Sequence, residues 1–584
     1  VTPEAAQQVG SGPSWAEEEA GGDPGQDAVA RPEERGSLRE RLHNAGVAAL
    51  VGNLLAIGSF AAVLADLPDI WFLSLGSLAL ILPLVLELPT ADQPASRGLV
   101  PGIAGRVAVA IGAVSLHPDP GVEHWLAGAV LAALVVFEDP LLRIERGAIP
   151  YAAHLPGTTV RNSPVVPAFA IQLLNIALIV LVALLNATAT PSGPMFGLLA
   201  IGAIAAGAVA ADGVLRIRAR RAAERTIGGR IDALAPRFAL HWDAPKGTGY
   251  QVAAWLPYLE RIGVPFLVIV RNPGSFAEVA KATSAPVLLR RGPQDLDAMV
   301  PMSMRSVFYV NNSMRNSHMV RYPAVKHIQL NHGESDKAPS YSPVFRMFDK
   351  DFVAGQAAID RFARFGVEVS PDLFEIVGRP QLEDVDVRES GEIRTVLYAP
   401  TWKGHNADTG HSSLEIGEDI VEHLLRRGLR VIYRPHPYTN RDARHRRLSR
   451  EIDRRLAAHS ESTGTAHVFG LEATKRLSLL ECFNESDALI SDVSSVVGDF
   501  LYSLKPFAIT AMDMSVRQFR ASYPIASAAY VIARDGGNLD LELGEMLAHD
   551  PRRAERRELK TYVLGDHPAD CYADAFLQAA RRFV

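Results

Sequence analysis

The first 215 residues hold six apolar runs, at roughly 44–65, 70–88, 100–116, 125–142, 165–187 and 195–215. Crossing the hydrocarbon core of a bilayer takes about 20 consecutive apolar residues, and only helices or closed barrels satisfy their backbone there. Several runs fall a little short of that length, so buried helices of a soluble core are the competing reading. Charge placement separates the two. Arg35, Arg39 and Arg41 precede the first run, and Asp66 and Asp69 follow it. Arg97 and Arg106 lie in the next connection, then Asp119 and Glu123, then Arg143, Arg146 and Arg161. An uncharged turn comes next, and Arg216, Arg218, Arg220 and Arg221 close the series. Basic connections alternate with acidic or neutral ones, which predicts six crossings with both ends on the cytoplasmic side. The Gly- and Ala-rich last run, GLLAIGAIAAGAVAADG, suits close helix contact in lipid.

At 584 residues the chain is too long for one ordinary domain. Its 48% hydrophobic and 21% charged residues look average only because a nearly charge-free half is summed with a soluble one. The formal charge of -6 argues against a nucleic-acid binder, which needs a basic surface to displace counterions. Cys482 and Cys571 have neither metal-ligand spacing nor a disulfide framework and read as reduced thiols. Residues 1–40, rich in Glu, Gly, Pro and Ala, cannot bury enough apolar surface to offset chain entropy and read as a disordered tail. They carry no basic n-region with a following apolar core, so targeting falls to the apolar runs of 41–222.

From about residue 236 short β-rich runs alternate with amphipathic helices. FALHWDA, PFLVIV, PVLLRR, SVFYVNN and KHIQLNH form a first set of strands, with a helix expected over QVAAWLPYLERIG. TVLYAPT, LRVIYRPH, AHVFG and ALISDVS form a second set, separated by EDIVEHLLRRG and the charged stretch 441–458. Alternation of this kind predicts two doubly wound, parallel-sheet lobes, at 236–385 and 390–584, the second ending in a terminal helix. Ligands of such folds bind beyond the carboxyl ends of strands, and four motifs stand there: NHGESDK (331–337), YAPTWKG (398–404), RPHP (434–437) and SDVSSVVGDF (491–500).

Ser494 and Ser495 stand at an expected helix start, where free N–H groups favour an anion and two hydroxyls add donors. Taken alone, the pair reads first as a plain N-cap with a solvated Asp, ahead of the anion site. Asp499, four residues on from Ser495, is suited to accept from a ribose or polyol hydroxyl or to orient a cation. Lys403, Arg434 and His436 add donors at neighbouring strand ends, with Pro435 between the last two, and together make a pyrophosphate clamp. Trp402 is placed to support a base or sugar, although core packing is the commoner role of a Trp. His332, followed by Gly333, can take a proton from an attacking hydroxyl near neutral pH; a structural histidine is the alternative. No metal and no cofactor are required by these patterns, and the glycines of GTGYQ (247–251) fall short of a dinucleotide fingerprint.

The order HG…K, YAPTWK, RPHP, SDxSSVxxDF resembles the CDP-glycerol glycerophosphotransferase family of teichoic acid polymerases and primases, over roughly 305–510, with VNNSMRNS (310–317) similar to its Asn-rich lead-in. The resemblance implies a GT-B architecture of two Rossmann-like domains; the α-helical membrane domain before them rests on the apolar runs and charge pattern and is less usual for that family. It implies transfer of a polyol phosphate from a CDP-linked donor to a hydroxyl of a polymer or lipid-linked acceptor at the cytoplasmic face of the cell membrane, with release of CMP. By that resemblance His332 is the base, and Thr401, Trp402, Lys403, Arg434, His436, Ser494, Ser495 and Asp499 fall at donor-binding positions. Lys337 is retained, but Asn331 stands where the family has Trp, and Glu334 and Ser335 where it has Thr-Pro. The family's GxPRxD turn reads GRPQLED here, with Gln381 where a donor-binding Arg is expected. These departures keep two rivals open, a GT-B glycosyltransferase using a nucleotide sugar and a non-catalytic membrane scaffold. Polyol, acceptor and self-association are left open.

Overall fold

The computed structural model describes residues 47–87, 102–147, 151–158, 164–333, 338–388, 391–402 and 412–584. The tail expected over 1–40 lies outside them.

Each apolar run is helical: α1 (Val47–Leu64), α2 (Asp69–Glu87), α3 (Ile103–Gly112, extended by a 3-10 turn), α4 (Val122–Val136), α5 (Glu138–Gly147), α6 (Ala168–Ala187) and α7 (Gly193–Leu234). Six crossings are the sequence expectation. Among the described residues three stretches are long and apolar enough to cross a membrane: Val122–Glu145, Ala168–Ala187 and Gly193–Leu234. Leu50–Leu64, Asp69–Pro83 and Ile103–Leu116 are shorter apolar helices. Ala56, Phe72, Val109, Leu131, Leu178 and Val182 form the bundle's interior.

A buried charged cluster lies inside that bundle. Arg106 and Glu138 pair at 2.7 Å with side chains 5% and 2% exposed, and Asn175 Nδ2 donates to Glu138 Oε1 at 2.9 Å and to the Leu134 carbonyl at 3.1 Å. This corrects the placement of Arg106 in a connection. Helix α3 begins before it, and a charge surrounded by apolar helices is held by a counter-ion on another helix.

The first soluble lobe is built on β1 (Ala152–Ala153), β2 (Phe238–Trp242), β3 (Phe266–Val270), β4 (Val287–Leu289), β5 (Ser306–Tyr309), β6 (Lys326–Gln329), β7 (Lys350–Val353) and β8 (Phe374–Ile376). Their spatial order is β1-β4-β3-β2-β5-β6-β7-β8, and every pairing is parallel except β1 with β4. The second lobe holds β9 (Thr395–Ala399), β10 (Arg430–Tyr433), β11 (Ala488–Ser491), β12 (Phe507–Ala511) and β13 (Tyr530–Ala533), all parallel in the order β10-β9-β11-β12-β13. Strands β2, β3 and β9 are buried at every residue, which is why they read as apolar runs interrupted only by His241 and Thr395. In each sheet the order reverses at one strand, β2 between β3 and β5, β9 between β10 and β11. Crevices open at such reversals, beyond the carboxyl ends.

Helix α7 joins bundle and lobe without a break. Its 42 residues extend about 63 Å at 1.5 Å each. The expected boundary at 222 therefore falls inside a helix: Ile227 and Ile231 are buried in the first lobe's core, and Glu224 pairs with Arg290 at 2.9 Å. A second attachment comes from β1, contributed by the segment between α5 and α6, beside which Arg220 lies over the Tyr151 ring at 5.7 Å.

The carboxyl-terminal segment also crosses over. Phe576, Leu577, Ala579 and Ala580 of the helix Asp574–Arg581 are buried in the first lobe's core, with Phe576 5.1 Å from Trp255. The terminal helix thus belongs by packing to the first lobe, a correction to its assignment by chain order, because its apolar face meets that core. On the way, the helix Arg553–Leu564 runs so close to Gly355 that a Cβ there would come within 2.5 Å of the Val563 carbonyl carbon.

Candidate functional site

Beyond β6 the backbone turns at Asn331, whose φ of +57° lies in the left-handed region that Asn tolerates better than most residues. The turn is held from both sides. Trp255 Nε1 donates to the Asn331 carbonyl at 2.6 Å, and Asn331 Nδ2 donates to Asp351 Oδ1 at 2.8 Å. The helix expected over QVAAWLPYLERIG divides into Tyr250–Ala253 and Leu256–Arg261 at this same Trp255, which leaves its indole free to reach the turn. His332 follows. Its Nδ1 lies 2.9 Å from the Val310 carbonyl, which can only accept, so Nδ1 carries the proton and Nε2 of the neutral ring keeps its lone pair. The ring lies deep among protein atoms yet stays open to solvent. That surround lowers its pKa below the ordinary imidazole value, the Arg379 guanidinium adds to the effect, and the Val310 bond opposes it. The neutral form is favoured.

The second lobe meets this turn beyond β11. Ser494 is extended and makes no side-chain cap bond, and the helix it precedes, Ser495–Phe500, has only six residues. A Cβ built on Gly333 would lie 3.5 Å from Ser495 Cβ, 3.6 Å from Ser495 Oγ and 3.8 Å from Arg379 Nη2. Three distant segments therefore converge on one point: the His332–Gly333 turn, Ser495 and Arg379. Asp499, expected to receive a hydroxyl, is instead paired with Arg379, Nε to Oδ1 at 2.5 Å and Nη2 to Oδ2 at 3.1 Å.

Arg379 is the residue that sequence reasoning missed. The search for a cation in GRPQLED stops at Gln381, whose Nε2 donates to the Ala254 carbonyl at 3.4 Å, toward the first lobe. The turn places Arg379 in the cleft instead. Gly378, at φ +69°, leaves no room for a side chain, since a Cβ would come 3.0 Å from His567 and Tyr572, and the Arg379 N–H donates to Tyr572 Oη at 3.1 Å. The available signal was the one basic residue of that tight turn, two positions before Gln381.

The ends of β9, β11 and β12 are bound together by Asp492, a buried carboxylate that the sequence reading passed over. It accepts from Thr401 N at 2.7 Å, Ser413 N at 3.1 Å and Thr510 Oγ1 at 2.6 Å. Thr401 is thereby fixed by its backbone. Trp402 faces His436 with ring centroids 6.1 Å apart and planes 22° apart, and Tyr438 meets Trp402 edge-on at 5.3 Å. His436 Nδ1 accepts from Tyr438 N at 3.1 Å, so its neutral ring carries the proton on Nε2 and offers a donor, the opposite tautomer to His332. Arg434, next to the half-buried Pro435, is bound elsewhere: Nη1 donates to the carbonyls of Ala473 and, at 2.8 Å, Leu477. Its contacts join β10 to the 473–482 segment and do not reach Ser495. Glu334, Ser335, Lys337 and Lys403 lie outside the described residues. Among the described residues no group of three or more His, Cys, Asp or Glu could hold a metal ion.

Residues 384–558 match the family model of CDP-Glycerol:Poly(glycerophosphate) glycerophosphotransferase. Over that segment the resemblance is established. The matched segment contains Thr401, Trp402, Arg434, His436, Ser494, Ser495 and Asp499, while His332, Arg379 and Gln381 precede it. No curated protein matches the chain. Among solved structures, the wall teichoic acid polymerase TagF aligns at 13% identity over 63% of this chain and 94% of that one, TM-score 0.39. A UDP-N-acetylglucosamine 2-epimerase described as putative, from Listeria monocytogenes, aligns at 13% over 59% and 96%, TM-score 0.41. A glycosyltransferase from Rickettsia africae ESF-5 aligns at 10% over 59% and 97%, TM-score 0.37. Likeness at these scores carries no argument about chemistry.

Proposed function

We propose that the chain is a membrane glycerophosphotransferase that moves glycerol phosphate, or a related polyol phosphate, from a CDP-linked donor to a hydroxyl of a polymer or lipid-linked acceptor, in a GT-B arrangement with the catalytic lobes on the cytoplasmic face. The observation that carries this reading is the meeting of the His332–Gly333 turn with Ser495 across the two lobes, at 3.5 Å from a Gly333 Cβ. Support for the donor class comes from the family match over the second lobe.

In this mechanism the acceptor oxygen attacks the phosphorus that bears the polyol. The bond from that phosphorus to the bridging oxygen breaks, and CMP leaves with the electron pair. His332 Nε2 takes the acceptor proton. Its lone pair is free because Nδ1 is committed to Val310, and its lowered pKa keeps it unprotonated near neutral pH. Ser494 and Ser495 hydroxyls and His436 Nε2–H serve as donors to phosphate oxygens, Trp402 supports the nucleotide, and Lys337 and Lys403 add positive charge. Positioning and charge stabilisation supply most of the acceleration in such transfers. The three spanning-length helices and the positive-inside pattern support the membrane placement.

Full-length protein in detergent or nanodiscs, given CDP-glycerol and a hydroxyl acceptor, is expected to release CMP and to lose that activity as His332→Ala. Release of UDP from UDP-sugars without CMP would replace this reading with a glycosyltransferase. Equal turnover by His332→Ala would remove the base assignment.

A further inference from the structure

We propose that Arg379 is a phosphate-binding residue of the cleft, presenting the outer fork of its guanidinium to the diphosphate of a nucleotide while Asp499 holds the inner fork. The inference rests on the donor class assigned above, but the site it names is an anion site in its own right.

A guanidinium has five N–H groups arranged as two forks, Nε with Nη2 and Nη1 with Nη2. Asp499 stands against the first fork: Nη2 donates to Oδ2 at 3.1 Å, and Nε lies 2.5 Å from Oδ1 as an ion-pair contact without hydrogen-bond geometry. Among the described residues none takes Nη1, and the second fork is left to whatever enters the cleft. Nη2 is also the atom of Arg379 that lies 3.8 Å from a Gly333 Cβ, beside Ser495 Cβ and Oγ at 3.5 and 3.6 Å. The outer fork therefore belongs to the same small space as the serine hydroxyl and the glycine that leaves that space open.

The arrangement is built rather than incidental. Arg379 and Asp499 side chains are 17% and 12% exposed, and the Arg379 backbone is fixed by Tyr572 Oη, itself donating to the Leu564 carbonyl at 2.8 Å. Asp499 is a carboxylate close to a proposed anion site, and alone it would repel the ligand. Paired to the guanidinium it acts as a positioning residue that aims the remaining N–H groups. A mere strut between lobes would account for the pair but not for Nη2, the atom shared by both forks, standing beside Gly333 and Ser495. The assignment also accounts for Gln381: the cation of this turn stands two residues earlier.

The test is titration of purified full-length protein with CDP and, separately, with inorganic pyrophosphate. Arg379→Gln is expected to weaken both by roughly ten- to a hundredfold, the range of a lost charge-assisted pair. Arg379→Lys keeps the charge without the fork and is expected to recover only part of that loss, and Asp499→Asn to weaken binding by a smaller factor than Arg379→Gln. Arg379→Gln or Arg379→Lys binding both probes as tightly as wild type, with a lowered melting temperature, would overturn the proposal, as would a wild-type protein that binds neither. Pyrophosphate binding that depends on Arg379, without turnover of CDP-glycerol, would leave this assignment standing and remove the donor assignment.

Discussion

Gly333→Ala separates folding from function at the centre of the cleft. The φ of Gly333 is not among the positive values of this chain, so alanine meets no backbone strain there. Its methyl group would sit 3.5, 3.6 and 3.8 Å from Ser495 Cβ, Ser495 Oγ and Arg379 Nη2, all ordinary van der Waals distances. Stability should change by no more than about 0.5 kcal/mol, as for a substitution that neither clashes nor opens a cavity. The methyl nevertheless fills the gap between the His332 turn and the serine hydroxyl, where phosphate and attacking oxygen must fit. Displacing reacting atoms by about 1 Å costs on the order of a hundredfold in rate. We therefore expect kcat/KM for CMP release to fall roughly ten- to a hundredfold with an unchanged melting temperature. Both are measured on the same preparation, by a coupled CMP assay and by thermal unfolding. Wild-type turnover from a folded Gly333→Ala protein would refute the reasoning, because the reacting atoms would then lie elsewhere.

Replacing His332 by Gln keeps hydrogen-bonding capacity but removes the base, and should lower turnover by about 10² to 10⁴. In the wild type the acid limb of the rate profile should lie below the ordinary imidazole value of about 6.5, since burial and Arg379 favour the neutral ring; a limb above it would contradict that environment. Arg106→Leu strands Glu138 in the bundle and should cost about 3–5 kcal/mol in thermal unfolding, whereas Arg106→Leu with Glu138→Leu should recover most of it. Gly355→Ala would push a methyl to 2.5–2.6 Å from backbone atoms of Tyr562 and Val563, and should destabilise by about 1–3 kcal/mol or more as judged by unfolding midpoint.

What could be read from residues and what could not divide along physical lines. Strands β2, β3 and β9 announce themselves because both faces are buried and nearly every position is apolar, His241 and Thr395 being the exceptions. Strand β8 has three residues, none of them buried, and β1 has two, so neither carries a pattern; their pairing is dictated by the sheet beside them. The motif residues could be placed at strand ends, but not their directions. Arg434 and Asp499 were both expected to face a ligand, and their side chains are claimed by partners more than 30 residues distant, Leu477 for one and Arg379 for the other. Arg106 shows the same limit within the bundle. A charge near a helix boundary reads as a loop until a counter-ion on another helix is seen. Asp492 is invisible for a different reason: most of its donors are backbone amides, Thr401 N and Ser413 N, which leave no trace in residue type.

The two moorings of the first lobe, the unbroken α7 and the two-residue strand donated from between α5 and α6, have a mechanical consequence. A body tied at two separate points keeps only rotation about the line through them, and every other tilt is resisted. On the proposed function, opening of the cleft falls to the second lobe, while His332, on the doubly tied lobe, keeps its height above the bundle.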